Sequence, residues 1–166
     1  MGKKILFPLE AKFNRVMGII RLLLKHDDTL SVRELTRMSG EHVDNLLPQV
    51  DAAKLLGFVK VRGDDVHLLN LGRGFYEDDA AALRKARLAL LRSEPFTTAM
   101  ELSRAAGTFT IDQLLEELFA NNVPFPSNPE ETKQKVAGAL LQWAIHLNIL
   151  SYDGEKKLWS VESLRS

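Results

Sequence analysis

Cysteine is absent from the 166 residues, which excludes disulfides and thiolate chemistry and favours a reducing compartment. Net charge is absent as well: 22 bases balance 22 acids, so no overall field steers the molecule towards a polyanion. Long apolar runs are missing. The longest, over residues 16–24, is broken by Gly18 and Arg21, too short for a span of the bilayer. Met1-Gly2-Lys3-Lys4 leads into too brief an apolar run for a secretory signal, and Leu6 stands where a myristoylation signal wants Ser or Thr. The expectation is a cytoplasmic chain that does not insert into a membrane. There is no G-x-x-x-x-G-K-S/T and no G-x-S-x-G, hence neither a phosphate cradle nor a nucleophile elbow. His26, His42, His67 and His146 lack the i, i+4 pairing of a helix-borne metal site. Paired acids at Glu116-Glu117 and Glu130-Glu131 read as solvated helix faces, and Trp143 and Trp159 as core. No enzymatic activity, cofactor, nucleotide or metal is expected.

What is present is a 45% apolar composition, enough for one core or two small ones. Residues 46–75 hold a helix, a helix stop, two strands and a tight turn. Residues 49–56 are helix-compatible, Gly57 can take the left-handed conformation that ends a helix, and the apolar runs 58–61 and 66–69 flank Arg62-Gly63-Asp64-Asp65. This reads as the helix and wing of a winged helix. The unit comes twice: a shift of 91 positions lays Gly57 on Asn148 and Gly63 on Gly154, and Asn is second only to Gly at a left-handed helix end. A second overlay, at a shift of 67, pairs Ser31 and Glu34 with Thr98 and Glu101, each pair fitting a capping box. The difference between the shifts measures an insertion in the second copy.

In chain order, residues 9–25 carry Phe13, Val16, Met17, Ile20 and Leu24 at helical spacing. The loop 26–29 leads into a capped helix over 32–38, ended by Gly40. Pro48 either kinks the next helix or starts a new one. Gly72 and Gly74 mark a change of direction, Asp78 or Asp79 caps a helix running to about Leu91, and Pro95 closes it. Thr110 or Asp112 opens a helix to about Ala120. After the rigid loop 124–129, Asn128, Pro129 and Glu131 start a long helix to Leu147, buried on most of its circumference. The predicted architecture is mainly α with small β wings, in two tandem winged-helix-like halves. Residues 1–78 form the first, and residues 79–166 supply a linking helix and the second.

Leu46-Leu47-Pro48, Ala52 to Phe58, Gly63-Asp64, Leu71-Gly72-Arg73 with Phe75, and then Trp143 and Tyr152-Asp153 form an ordered series that resembles the AAA-associated C-terminal domain. That domain is appended to ATP-binding subunits of nitrate/sulfonate/taurine-type ABC transporters. The resemblance runs from about Phe7 to Val161 and implies a non-catalytic accessory domain, cytoplasmic, working beside a nucleotide-binding subunit. Leu69 departs from the Thr that members tend to place there. Without a phosphate loop the chain reads as an excised domain or a stand-alone copy.

The rival expectation is a winged-helix transcription regulator, since such domains often read DNA with the third helix and the wing. Residues 41–80 hold eight acids and four bases, the wrong sign for phosphate neutralisation. In the second copy Lys133 and Lys135 are offset by Glu130 and Glu131, and Lys156-Lys157 by Asp153 and Glu155. Nucleic acid is disfavoured and a protein partner, an ABC transporter ATP-binding subunit or another protein, is preferred. Arg84, Lys85, Arg87 and Arg92 form the one basic patch. Arg84, Lys85 and Arg87 are the candidate partner contacts.

Overall fold

The computed structural model describes residues 4–162. Of these, 57% are helical, with eight α-helices and two small antiparallel three-stranded sheets. Contacts divide the chain into two compact units: residues 10–90, and Leu91 onward together with the segment up to Leu9.

Unit 10–90 runs α1 (Phe13–Lys25), β1 (Thr29–Ser31), α2 (Val32–Ser39), α3 (Val43–Leu55), β2 (Val59–Arg62), β3 (Asp65–Leu68), α4 (Asn70–Tyr76) and α5 (Ala80–Leu91). The Ser31 hydroxyl accepts the Glu34 N–H at 3.0 Å, supplying one of the orphan donors of α2, and Gly40 ends that helix at φ +70°. At the end of α3, Gly57 has φ +82°. The Phe58 N–H donates to Ala53 O and the Gly57 N–H to Lys54 O, at 2.9 and 3.1 Å, the paired bonds of a Schellman stop. The hairpin closes as Arg62 opposite Asp65, around a two-residue turn in which Gly63 takes φ +58°. Val16, Ile20 and Leu23 of α1, Leu35 of α2, Val50 and Ala53 of α3, and Val66 of β3 are buried together with Phe58. The Phe58 ring lies 4.6 Å from that of Phe75.

The second unit runs α6 (Phe96–Ala106), β4 (Thr108–Phe109), α7 (Ile111–Ala120), α8 (Pro129–Ala139), β5 (Leu150–Asp153) and β6 (Leu158–Val161), with a π-helical turn over Leu140–Ala144. Its helix stop repeats the first. Asn148 sits at φ 57°, the Ile149 N–H donates to Ala144 O at 2.8 Å, and the Asn148 N–H donates to Ile145 O at 3.0 Å. Sheet order repeats too, β1-β3-β2 and β4-β6-β5. Because φ near +57° is costly for a residue with a Cβ, Asn148→Ala is expected to lose about 1 kcal/mol of stability. Asn148→Gly should stay within about 0.5 kcal/mol of the parent. Urea unfolding of the two variants measures both, and an alanine variant as stable as the parent would remove the conformational requirement.

Four expectations are corrected. Thr98 is not a cap: it lies inside α6, 3% exposed, with its N–H donating to Glu94 Oε1 at 3.0 Å and its hydroxyl to Glu94 Oε2 at 2.8 Å. The counterpart of Ser31 is Thr110, whose reciprocal capping box with Gln113 opens α7 just after β4. The helix from Pro129 is interrupted by the π-turn, and Leu141 is 45% exposed, so one side is buried rather than most of the circumference. The second hairpin does turn at Asp153-Gly154, through a four-residue loop: Asp153 pairs with Leu158 and its carboxylate accepts the Glu155 and Lys156 N–H groups. Gly72 and Gly74 do not break the chain but lie within α4. Residues 26–29, read as a loop, end in the added strand β1.

By contacts the boundary between the compact units falls at 90/91. An ideal Cβ on Gly74 would lie 3.1 Å from the Ala82 Cβ, so the start of α5 packs on α4. The Asp79 carboxylate caps α5 through the Ala82 N–H at 2.9 Å. At the other end, Phe7 donates to Glu94 O and Glu94 to Ile5 O, at 2.9 and 2.8 Å. Phe7 is 1% exposed, with its ring 5.3 Å from Phe96 and 5.2 Å from Trp143.

Candidate functional site

The helix that would carry readout in either half is the one before the hairpin. In unit 10–90 this is α3, and its composition makes one side core and the other acidic. Leu46, Val50 and Ala53 are buried, whereas Val43, Asp44, Leu47, Asp51 and Lys54 are exposed. Pro48 lies inside the helix and leaves the Asp44 carbonyl without its helical donor. That carbonyl belongs to an exposed residue, where water can take the donor's place. The helix thus continues through Pro48, and no new helix starts there. His42 Nδ1 lies 3.8 Å from the Asp44 carboxylate, both exposed. The Asp51 side chain has no partner among the described residues.

Beside α3, a groove of about 340 Å³ is lined by residues of α1, α2 and α3, with Ile19, Leu22, Met38 and Leu46 among its apolar walls. Gly18 leaves it open, for a Cβ there would meet nothing within 4 Å. Arg15 and Glu41 close one side as an ion pair at 3.2 Å. Gln49, 2% exposed, is held below it: its carbonyl accepts the Lys12 N–H at 2.8 Å, and its amide donates to Glu10 O and Asn45 O. Sequence reasoning missed this groove because its residues come from three helices whose packing no local pattern encodes.

In the second unit the corresponding helix is α8, whose lysines are already engaged. Lys133 Nζ lies 3.0 Å from the Asp112 carboxylate, and that hydrogen bond and charge raise its pKa above the usual lysine value. Lys135 donates to the Ser127 hydroxyl at 3.1 Å.

Arg84, Lys85 and Arg87 all lie on α5. Arg84 and Lys85 are exposed and without a side-chain partner among the described residues, whereas Arg87 is half-buried and engaged. The first two form one open face and Arg87 does not share it. Leu88, one turn beyond Arg84 and 56% exposed, belongs to that face, and the charge-led sequence reading passed over it. A second cavity of about 410 Å³ lies in the other unit, with Lys4, Arg92, Glu94 and Glu101 among its walls. Its buried carboxylate, Glu94, already accepts from Thr98 through both oxygens. Among the described residues no group of three or more His, Asp or Glu side chains is placed to hold a metal ion, and no helix is long and apolar enough to cross a membrane.

Neither the curated proteins nor the solved structures contain a match to this chain. The sequence pattern of one family does match, over residues 33–153. That segment takes in both helix stops, the first hairpin turn and the α5 basic face, and it covers well over half of the chain. The chain therefore belongs to the C-terminal AAA-associated domain family.

Proposed function

We propose that the chain is a pair of winged-helix-like halves serving as a non-catalytic, cytoplasmic regulatory and protein-interaction module for the ATP-binding subunit of an ABC transporter. The shared order helix, strand, helix, helix, strand, strand in the two units supports the winged-helix reading. Family membership supports the association with an ATPase. The observation that carries the choice of a protein over DNA is the exposed side of α3, which presents Asp44 and Asp51 around Leu47 and has Lys54 as its one base. A helix inserted in the major groove must neutralise phosphates, and carboxylates there cost affinity. Leu47, 43% exposed, suits an apolar contact with a protein.

Fluorescence anisotropy on mixed-sequence duplexes at about 50 and 200 mM salt, together with co-purification of an ATP-binding subunit, tests the reading. No submicromolar DNA binding is expected, and the ATPase subunit should be retained. Submicromolar binding with a log–log salt slope of about −0.9 per phosphate contact would transfer the function to transcription regulation.

A further inference from the structure

We infer that the chain pairs with a second copy of itself, the acidic face of α3 on one copy docking against the basic face of α5 on the other. The two faces are complementary in charge and in spacing. On α3 the exposed sequence over successive turns is Asp44, Leu47, Asp51; on α5 it is Ala81, Arg84 with Lys85, then Leu88. Each therefore offers one exposed leucine, 43% exposed at Leu47 and 56% at Leu88, with charge one helical turn away, or about 5 Å along the axis.

Direction does not spoil the match. Carboxylates lie one turn to either side of Leu47, so when Leu88 seats on Leu47 the Arg84 and Lys85 cations reach an acid whether the helices run parallel or antiparallel. Ala81, exposed and small, lets the α5 backbone approach closely at the far end of the contact. Among the described residues none of Asp51, Arg84 and Lys85 has a side-chain partner, and Asp44 has there only the long 3.8 Å approach of His42. The net charge of zero leaves no overall repulsion between copies.

Both faces belong to the unit of residues 10–90, and the pair closes when the contact made by α3 of one copy with α5 of its partner is repeated in reverse. Two copies of one heterotypic contact close a symmetric dimer, the form in which one patch serves both partners. The pairing uses the α3 face that the proposed function gives to a protein partner, so a second copy and an ATP-binding subunit would compete for it, and the purified chain alone reads the self-pairing.

Sedimentation velocity on the purified chain gives the first reading. A dimer is expected whose dissociation constant rises at least about tenfold between about 50 and 500 mM salt, because exposed complementary charges are screened. The decisive variants reverse the charges, D44K/D51K on one chain and R84E/K85E on another. Each alone sets like charges against like and should be monomeric. Mixed together, both contacts of the dimer become complementary again, so a heterodimer should form with the parent's affinity to within about threefold. That restoration also shows that the reversed chains remain folded. A parent that stays monomeric, a dimer indifferent to either reversal, or a mixture that fails to restore association would each overturn the proposal. So would open-ended growth with concentration in place of a closed pair.

Discussion

Trp143→Ala is expected to lower the free energy of unfolding by about 3–5 kcal/mol, the range for deleting a large aromatic from a packed core. Trp143 is fully buried. It precedes the Schellman stop at Asn148 and meets the Phe7 ring nearly edge-on, with centroids 5.2 Å apart and planes 66° apart. The alanine would leave a hole between the Phe7 ring and the π-helical turn, and a hole of that size does not collapse when its walls belong to distant parts of the chain. Against a total stability of about 5–15 kcal/mol for an ordinary domain, this loss leaves the second unit near the edge of folding. Urea titration followed by far-UV circular dichroism is the measurement. A loss under about 1 kcal/mol would mean that the indole does not hold that core.

Gly72→Ala is expected to cost at least about 1–3 kcal/mol, although alanine is the better helix former. The two effects oppose one another and their sizes decide. Within α4 the added methyl would gain about 0.5–1 kcal/mol of backbone entropy. It would stand 2.5 Å from the Phe58 carbonyl oxygen and 2.9 Å from Leu68 Cδ1. That oxygen cannot step aside, since it accepts the Leu69 N–H at 2.8 Å at the junction of hairpin and helix. Gly18→Ala is the control, because it too is helical but meets nothing within 4 Å. It should be neutral or stabilising by up to about 1 kcal/mol. If the two substitutions shift the thermal midpoint alike, close approach is not what reserves position 72 for glycine.

The contrast between these glycines shows where sequence reasoning succeeds and where it stops. Gly57, Asn148 and Gly63 were legible because a positive φ narrows the choice of residue, so the demand is written at the position itself. Gly72 is ordinary in φ and exceptional only in its neighbour, which arrives from another strand; the sequence shows a glycine and suggests a break. The hydroxyl and acid at Thr98 and Glu101 satisfy the spacing of a capping box, yet the same spacing occurs inside helices, and it is the Glu94 carboxylate upstream that accepts the Thr98 N–H near the start of α6. At Thr110 and Gln113 the amide partner made an equally good box. Strands β1 and β4, three and two residues long, are too short for any alternation to register. At the candidate site the charges of α3 and α5 were legible as composition. Which of them face outward required the packing of α1, since burial of Val50 and Ala53 decides that Leu47 and Asp51 are left outside.

The lacing of the Ile5–Phe7 segment onto Glu94 and Trp143 has a consequence for the timing of synthesis. These residues leave the ribosome well before their partners, which lie more than 80 positions later, and the whole of unit 10–90 is made and can fold before Trp143 exists. Phe7 must wait unpaired in the nascent chain. Its return then closes a long loop whose entropic cost grows only as the logarithm of its length, and prior folding of the intervening residues shortens the effective tether. Residues made ahead of unit 10–90 thus join a core completed only after it.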